Sequence, residues 1–142
     1  MNGKWLSLVV LIAVASLLAG LNSCGRSQEL VSIQIQPASE TFGAADVPVM
    51  ANAGSNVQLR ALGTYIHPPV TKDITNQVTW SSNTPQMVTV NSTGLITATG
   101  DACGGTIISA TVTKNSSDGG ISSAGAVVTG SMTASVVCPT VP

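Results

Sequence analysis

From Arg26 onward the apolar positions read as short strands punctuated by turns, and no segment sustains the 3.6-residue period of a helix. In Val31-Ser32-Ile33-Gln34-Ile35-Gln36 the alternation is strict and stops at Pro37, which predicts a strand with one buried and one wet face. Residues 37–54 carry Phe42-Gly43, Val47-Pro48 and Asn52-Ala53-Gly54 and read as an irregular edge segment, because proline cannot donate to a ladder. Alternation then resumes, with Val57, Leu59 and Ala61 on one side and Asn56, Gln58 and Arg60 on the other. Residues 63–77, with His67-Pro68-Pro69 and Asp73-Ile74-Thr75, read as a loop with some internal order. Val78-Thr79-Trp80-Ser81 is the next strand, and residues 87–90 and 95–98 flank the turn-forming Asn91-Ser92-Thr93-Gly94 as a hairpin.

The last two strands, residues 106–113 and 126–137, flank a Ser/Gly/Asp-rich loop and predict a long antiparallel hairpin. Opposing Ile108 with Met132, Ala110 with Gly130 and Val112 with Val128 brings Cys103 and Cys138 to its open end, one residue out of register. A bulge or the loop after Gly100 absorbs that offset, so the register predicts a disulfide between them. Trp80 is by far the largest side chain in a body poor in aromatics. With Val78, Leu59 and Val57 it is the expected centre of the core, its indole N–H needing a partner.

The start of the chain is organised differently. Lys4 and the free amine precede a nearly uninterrupted apolar run over residues 5–21, followed by short residues up to Cys24, the layout of a secretory leader. The alternative, a membrane-spanning helix, is opposed by Gly20, Asn22, Ser23 and Cys24, which break the run, and by the lack of a Lys/Arg cluster after it. Leu21-Asn22-Ser23-Cys24 resembles the bacterial lipobox, although Asn22 departs from its usual small or apolar residue. The resemblance implies cleavage before Cys24, acylation of Cys24 and, with Gly25 following, sorting to the outer membrane. The expected organisation is a signal peptide over 1–23, a lipidated tether over 24–29, one β-domain over 30–138 and a tail over 139–142. Removing the leader leaves 119 of the 142 residues, enough for one domain.

Composition agrees with a β-body: 8% of residues are charged and 3% aromatic, and Val, Thr, Ser, Ala and Gly dominate. After the leader four basic residues face six acidic ones with no basic run, so nothing marks a nucleic-acid footprint. Three cysteines are an odd number for an exported protein, and Cys24 is the natural one to stand apart from the Cys103–Cys138 pair. The other reading of that pair is two buried, reduced thiols; an oxidising compartment favours the bond.

Candidate chemistry is sparse. His67, the one histidine, stands beside two prolines with nothing near it in sequence to complete a nucleophile–base–orienter set, and no G-x-S-x-G elbow occurs. The carboxylates are scattered, which supports neither acid–base catalysis nor a calcium loop, and neither cofactor nor metal is expected. Asp73 reads as a local turn former that caps nearby backbone N–H groups.

Together, Val31 to Pro37, Gln58 to Tyr65, Asp73 to Ser82, Val88-Thr89-Val90, Gly94 to Ala98 and Thr106 to Thr111 resemble the bacterial immunoglobulin-like domain of group 2 across nearly all of the mature chain. The resemblance implies an all-β, immunoglobulin-like sandwich of about seven strands with Trp80 on its core side. It also implies a role as surface stalk, adhesin repeat or accessory module. The expected protein is therefore non-enzymatic and lies in the cell envelope, held to the membrane by lipid, its body in the periplasm or at the surface. It acts as a spacer, adhesion or protein-interaction module without a small-molecule substrate. A glycan-binding module is the alternative, and it requires exposed aromatics from among Tyr65, Phe42 and Trp80. His67-Pro68-Pro69 and Asp118-Gly119-Gly120 are the candidate interaction loops, expected at the end of the domain away from the anchor.

Overall fold

The computed structural model describes residues 28–113 and 126–140; the leader, Cys24 and Asp118-Gly119-Gly120 lie outside them. The described chain is all-β, with one 3-10 turn at Val49–Asn52. In order the strands are β1 (Glu29–Gln36), β2 (Ser39–Phe42), β3 (Asn56–Gln58), β4 (Arg60–Ile66), β5 (Val70–Asp73), β6 (Thr79–Ser82), β7 (Val88–Val90), β8 (Leu95–Ala98), β9 (Gly104–Thr113) and β10 (Val127–Val136).

These strands form three sheets, ordered β1-β4-β5, β3-β8-β7 and β2-β10-β9-β6. The first two belong to one layer, because β3 and β4 are a single run of chain interrupted only at Leu59. Along that run the partner changes: β4 pairs with β5, and β3 pairs with β8. The second layer pairs β10 antiparallel to β9 and parallel to β2. One core joins the layers, built mainly from Ile35, Leu59, Ile74, Val88, Ile96, Ile108 and Val136. This is a β-sandwich arrangement.

The observed β9–β10 ladder opposes Ile108 to Met132, Ala110 to Gly130 and Val112 to Val128, the register read from the sequence. Beyond its open end Cys103 and Cys138 form a disulfide with Cα atoms 5.1 Å apart. Three expectations need correction. Residues 63–77 are not a loop: they supply most of β4 and all of β5, and His67-Pro68-Pro69 is the turn between them. Residues 37–54 do lie at a sheet edge, as expected, but they are not irregular throughout: they contain β2, a polar edge strand whose pairing with β10 no alternation signals. Among the described residues ten strand segments replace about seven, because the run through Leu59 is broken, the first strand is divided between layers and β5 is added.

The core also differs from expectation at its largest residue. Leu59 is fully buried and Val78 nearly so, but Val57 and Trp80 are only half-buried and lie against the core instead of filling its centre. The reason is that Trp80 stands on β6, the edge strand of its sheet, where its indole meets Gly94 and the Thr75 carbonyl instead of the interior.

Candidate functional site

The partner exchange at Leu59 is the feature that gathers polar side chains from separated segments. Beside it is an open cleft of about 540 Å³ lined by Gln58, Leu59 and Arg60 along the strand run, Asp73, Thr75, Asn76 and Gln77 on one wall and Thr93 on the other. Each wall is a turn held by its own hydrogen bonds.

On the first wall the Asp73 carboxylate organises the chain leaving β5. Its Oδ1 accepts from the Thr75 N–H at 3.0 Å and from the Thr75 hydroxyl at 2.5 Å, an Asx-type turn. Its Oδ2 accepts from Arg60 Nε at 3.0 Å and Nη2 at 2.9 Å. The Thr75 hydroxyl oxygen in turn accepts the Ala61 N–H at 3.0 Å, tying the turn back to β4. The Thr75 hydroxyl, its backbone N–H and the Arg60 guanidinium all stabilise the ionised carboxylate, and they lower the Asp73 pKa to about 2.

On the second wall Asn91 Oδ1 accepts from the Thr93 N–H at 3.0 Å, the Thr93 hydroxyl at 2.8 Å and the Leu95 N–H at 2.9 Å. Gln58 Nε2 reaches across to the Thr93 carbonyl at 2.7 Å and the Leu59 carbonyl at 2.9 Å, and the Leu59 N–H donates to the Gly94 carbonyl at 2.9 Å. Gly94 has φ +81°, and a Cβ there would lie 2.9 Å from Trp80 Cζ2 and 3.1 Å from the Leu59 carbonyl oxygen. Only glycine fits that turn against the indole. Trp80 Nε1 donates to the Thr75 carbonyl at 3.0 Å, so one side chain from the second layer braces both walls.

The sequence-derived candidates fall elsewhere. His67, Pro68 and Pro69 are exposed at the β4–β5 turn. Strand directions place that turn at the end where the described chain begins: Glu29 pairs with Ile66, and Lys72 Nζ donates to Gln28 Oε1. The β9–β10 ladder ends there too, at Thr113 and Val127, since Gly130 lies against Ile33 and β10 runs parallel to the β1–β2 path. The turn is thus at the end of the domain where the described chain begins, not at the opposite end expected from the sequence. The disulfide and residues 43–55 occupy the far end.

Of the aromatics named for glycan stacking, Phe42 is buried, Trp80 lies behind Gly94, and Tyr65 is half-buried with Lys72 Nζ 5.1 Å from its ring centre. Among the described residues no three His, Cys, Asp or Glu side chains converge as metal ligands. Sequence reasoning identified the Asp73 turn but not the cleft. The Asp-x-Thr spacing is a local signal, whereas the approach of Asn76 and Gln77 to Thr93 depends on the partner exchange at Leu59. No family model matches the chain, and no match to it is found among curated proteins.

Proposed function

We propose that this chain is a lipid-anchored protein of the bacterial cell envelope, sorted to the outer membrane, whose single immunoglobulin-like domain is a non-enzymatic spacer, adhesion or protein-interaction module. The observation that carries the reading is the Cys103–Cys138 disulfide, since such a bond persists in oxidising compartments. The strand order supports the immunoglobulin-like assignment. One layer runs β1, β3/β4, β8, β7 and the other β2, β10, β9, β6, with the first strand divided between layers and Trp80 on the third main strand. The leader and Cys24 support the anchor. Glycan binding by aromatic stacking loses its support, because Phe42, Tyr65 and Trp80 present no shared exposed platform.

The test is the fate of Cys24. Intact mass of the membrane-extracted protein should show cleavage before Cys24 and added acyl chains, and Cys24→Ala should move the protein to the soluble fraction. An uncleaved, unacylated mass in normally exported protein rejects the anchor.

A further inference from the structure

We propose that the cleft at Leu59 is a binding site for a single uncharged sugar unit, held edge-on by Asn76, Gln77, Gln58 and Arg60. The inference names a ligand class for the interaction-module reading and rests on that reading, but it does not depend on the lipid anchor.

Four observations carry it. The cleft, at about 540 Å³, falls within the roughly 300–1,000 Å³ of small-molecule sites. The backbone of its walls is already fixed by the Asp73 and Asn91 hydrogen-bond networks, so binding orders side chains and not the chain path. Its ion pair is internal: Arg60 Nε and Nη2 are engaged by Asp73, which leaves the lining close to neutral and a poor match for an anion. The groups left over are amides. Among the described residues the Asn76 and Gln77 side chains make no hydrogen bond within the protein, and Gln58 uses its Nε2 but not its Oε1.

Each free amide offers a donor beside an acceptor, and the remaining Arg60 nitrogen, Nη1, adds further donors. Neighbouring hydroxyls on a sugar ring present the complementary pairs, which returns the hydrogen bonds lost when these groups leave water. Buried Leu59 and the exposed Gln58 and Arg60 line the cleft between its walls, so it is open to solvent and admits a ring presented singly or at the end of a chain. With no aromatic platform, affinity rests on hydrogen bonds exchanged against water and is weak.

The experiment is amide-shift NMR on the full chain in detergent, titrated with galactose, mannose and N-acetylglucosamine, and separately with soluble dextran to distinguish a free sugar from a polymer-borne one. Saturable shifts confined to residues 58–60, 73–77 and 91–94 with at least one of these probes are expected. The double substitution Asn76→Ala/Gln77→Ala should weaken binding at least tenfold at unchanged Tm, whereas Thr129→Ala on the outer face of the other layer should leave it unchanged. Mapping on the wild-type protein locates the site even if the double variant folds poorly. No saturable shift at the cleft with any probe, or binding that survives the double substitution, overturns the proposal. Either outcome leaves the Cys24 fractionation result standing, so the two readings fail separately.

Discussion

Trp80 earns its place as a brace, and two substitutions separate its contributions. Trp80→Ala removes a half-buried ring packed on Gly94 together with the bond to the Thr75 carbonyl, and should cost about 3 kcal/mol, the lower end of the range for large aromatics. Trp80→Phe keeps much of the ring and loses the hydrogen bond, for about 1 kcal/mol. Chemical denaturation measures both, and equal losses would show that the hydrogen bond alone matters. At Asp73 the relevant variable is pH. Its pKa is lowered from 3.8 to about 2, so its contribution to stability is fully present above the ordinary carboxylate value and is lost as pH falls through the folded-state value. Thermal melts between pH 5 and 1.5 should therefore show a loss between about pH 4 and 2 that Asp73→Asn lacks. Residue type announced both sites, as the lone body tryptophan and a turn-forming Asp-x-Thr. Neither announced the other as its neighbour, because the Trp80–Thr75 bond crosses between layers.

The elements that could be read in advance are those whose pairing is local. The β9–β10 register followed from matching two long apolar patterns, and the β7–β8 turn from Asn91-Ser92-Thr93-Gly94. β5 was missed because Val70–Asp73 has a half-buried valine followed by three exposed residues, a strand made by its pairing with β4 rather than by amphipathic alternation. β2 was missed for the same reason: Ser39–Phe42 buries only Phe42 fully. The cleft inherits this difficulty, since it exists only because β5 and β8 divide one partner run between them. The layers approach closely at Gly130 on β10, where an added Cβ would lie 2.5 Å from the Ile33 carbonyl oxygen and 2.9 Å from its carbon. Those are backbone atoms of β1 and no flexible side chain can yield. Gly130→Ala should cost at least about 2 kcal/mol by denaturant titration, within the range for overpacking. Gly105→Ala on β9, where nothing lies within 4 Å of the added carbon, should be tolerated far better. Equal effects at the two positions would mean that the layers are not in close contact at Gly130.

At the scale of the molecule, the two ends are different surfaces. Gln28, the His67-Pro68-Pro69 turn and the ends of β9 and β10 share one, while the Cys103–Cys138 staple and the segment carrying Met50, which is 80% exposed, share the other. The ten residues of β10 run between these ends, roughly 30 Å at strand rise. Four residue steps separate Cys24 from Gln28, a span of at most about 14 Å. If Cys24 is acylated, this short span keeps the His67 end within reach of the bilayer, and a domain standing upright on it carries Met50 farther out. Dyes attached at His67→Cys and, separately, at Met50→Cys can report this, because the native Cys103 and Cys138 thiols are joined to each other. With an acceptor dye in the membrane, energy transfer should be clearly stronger from position 67. Equal transfer would mean that the domain lies along the surface, and stronger transfer from position 50 would mean that the chain is not held by its N-terminus. Absence of transfer from either would place the protein off the membrane altogether.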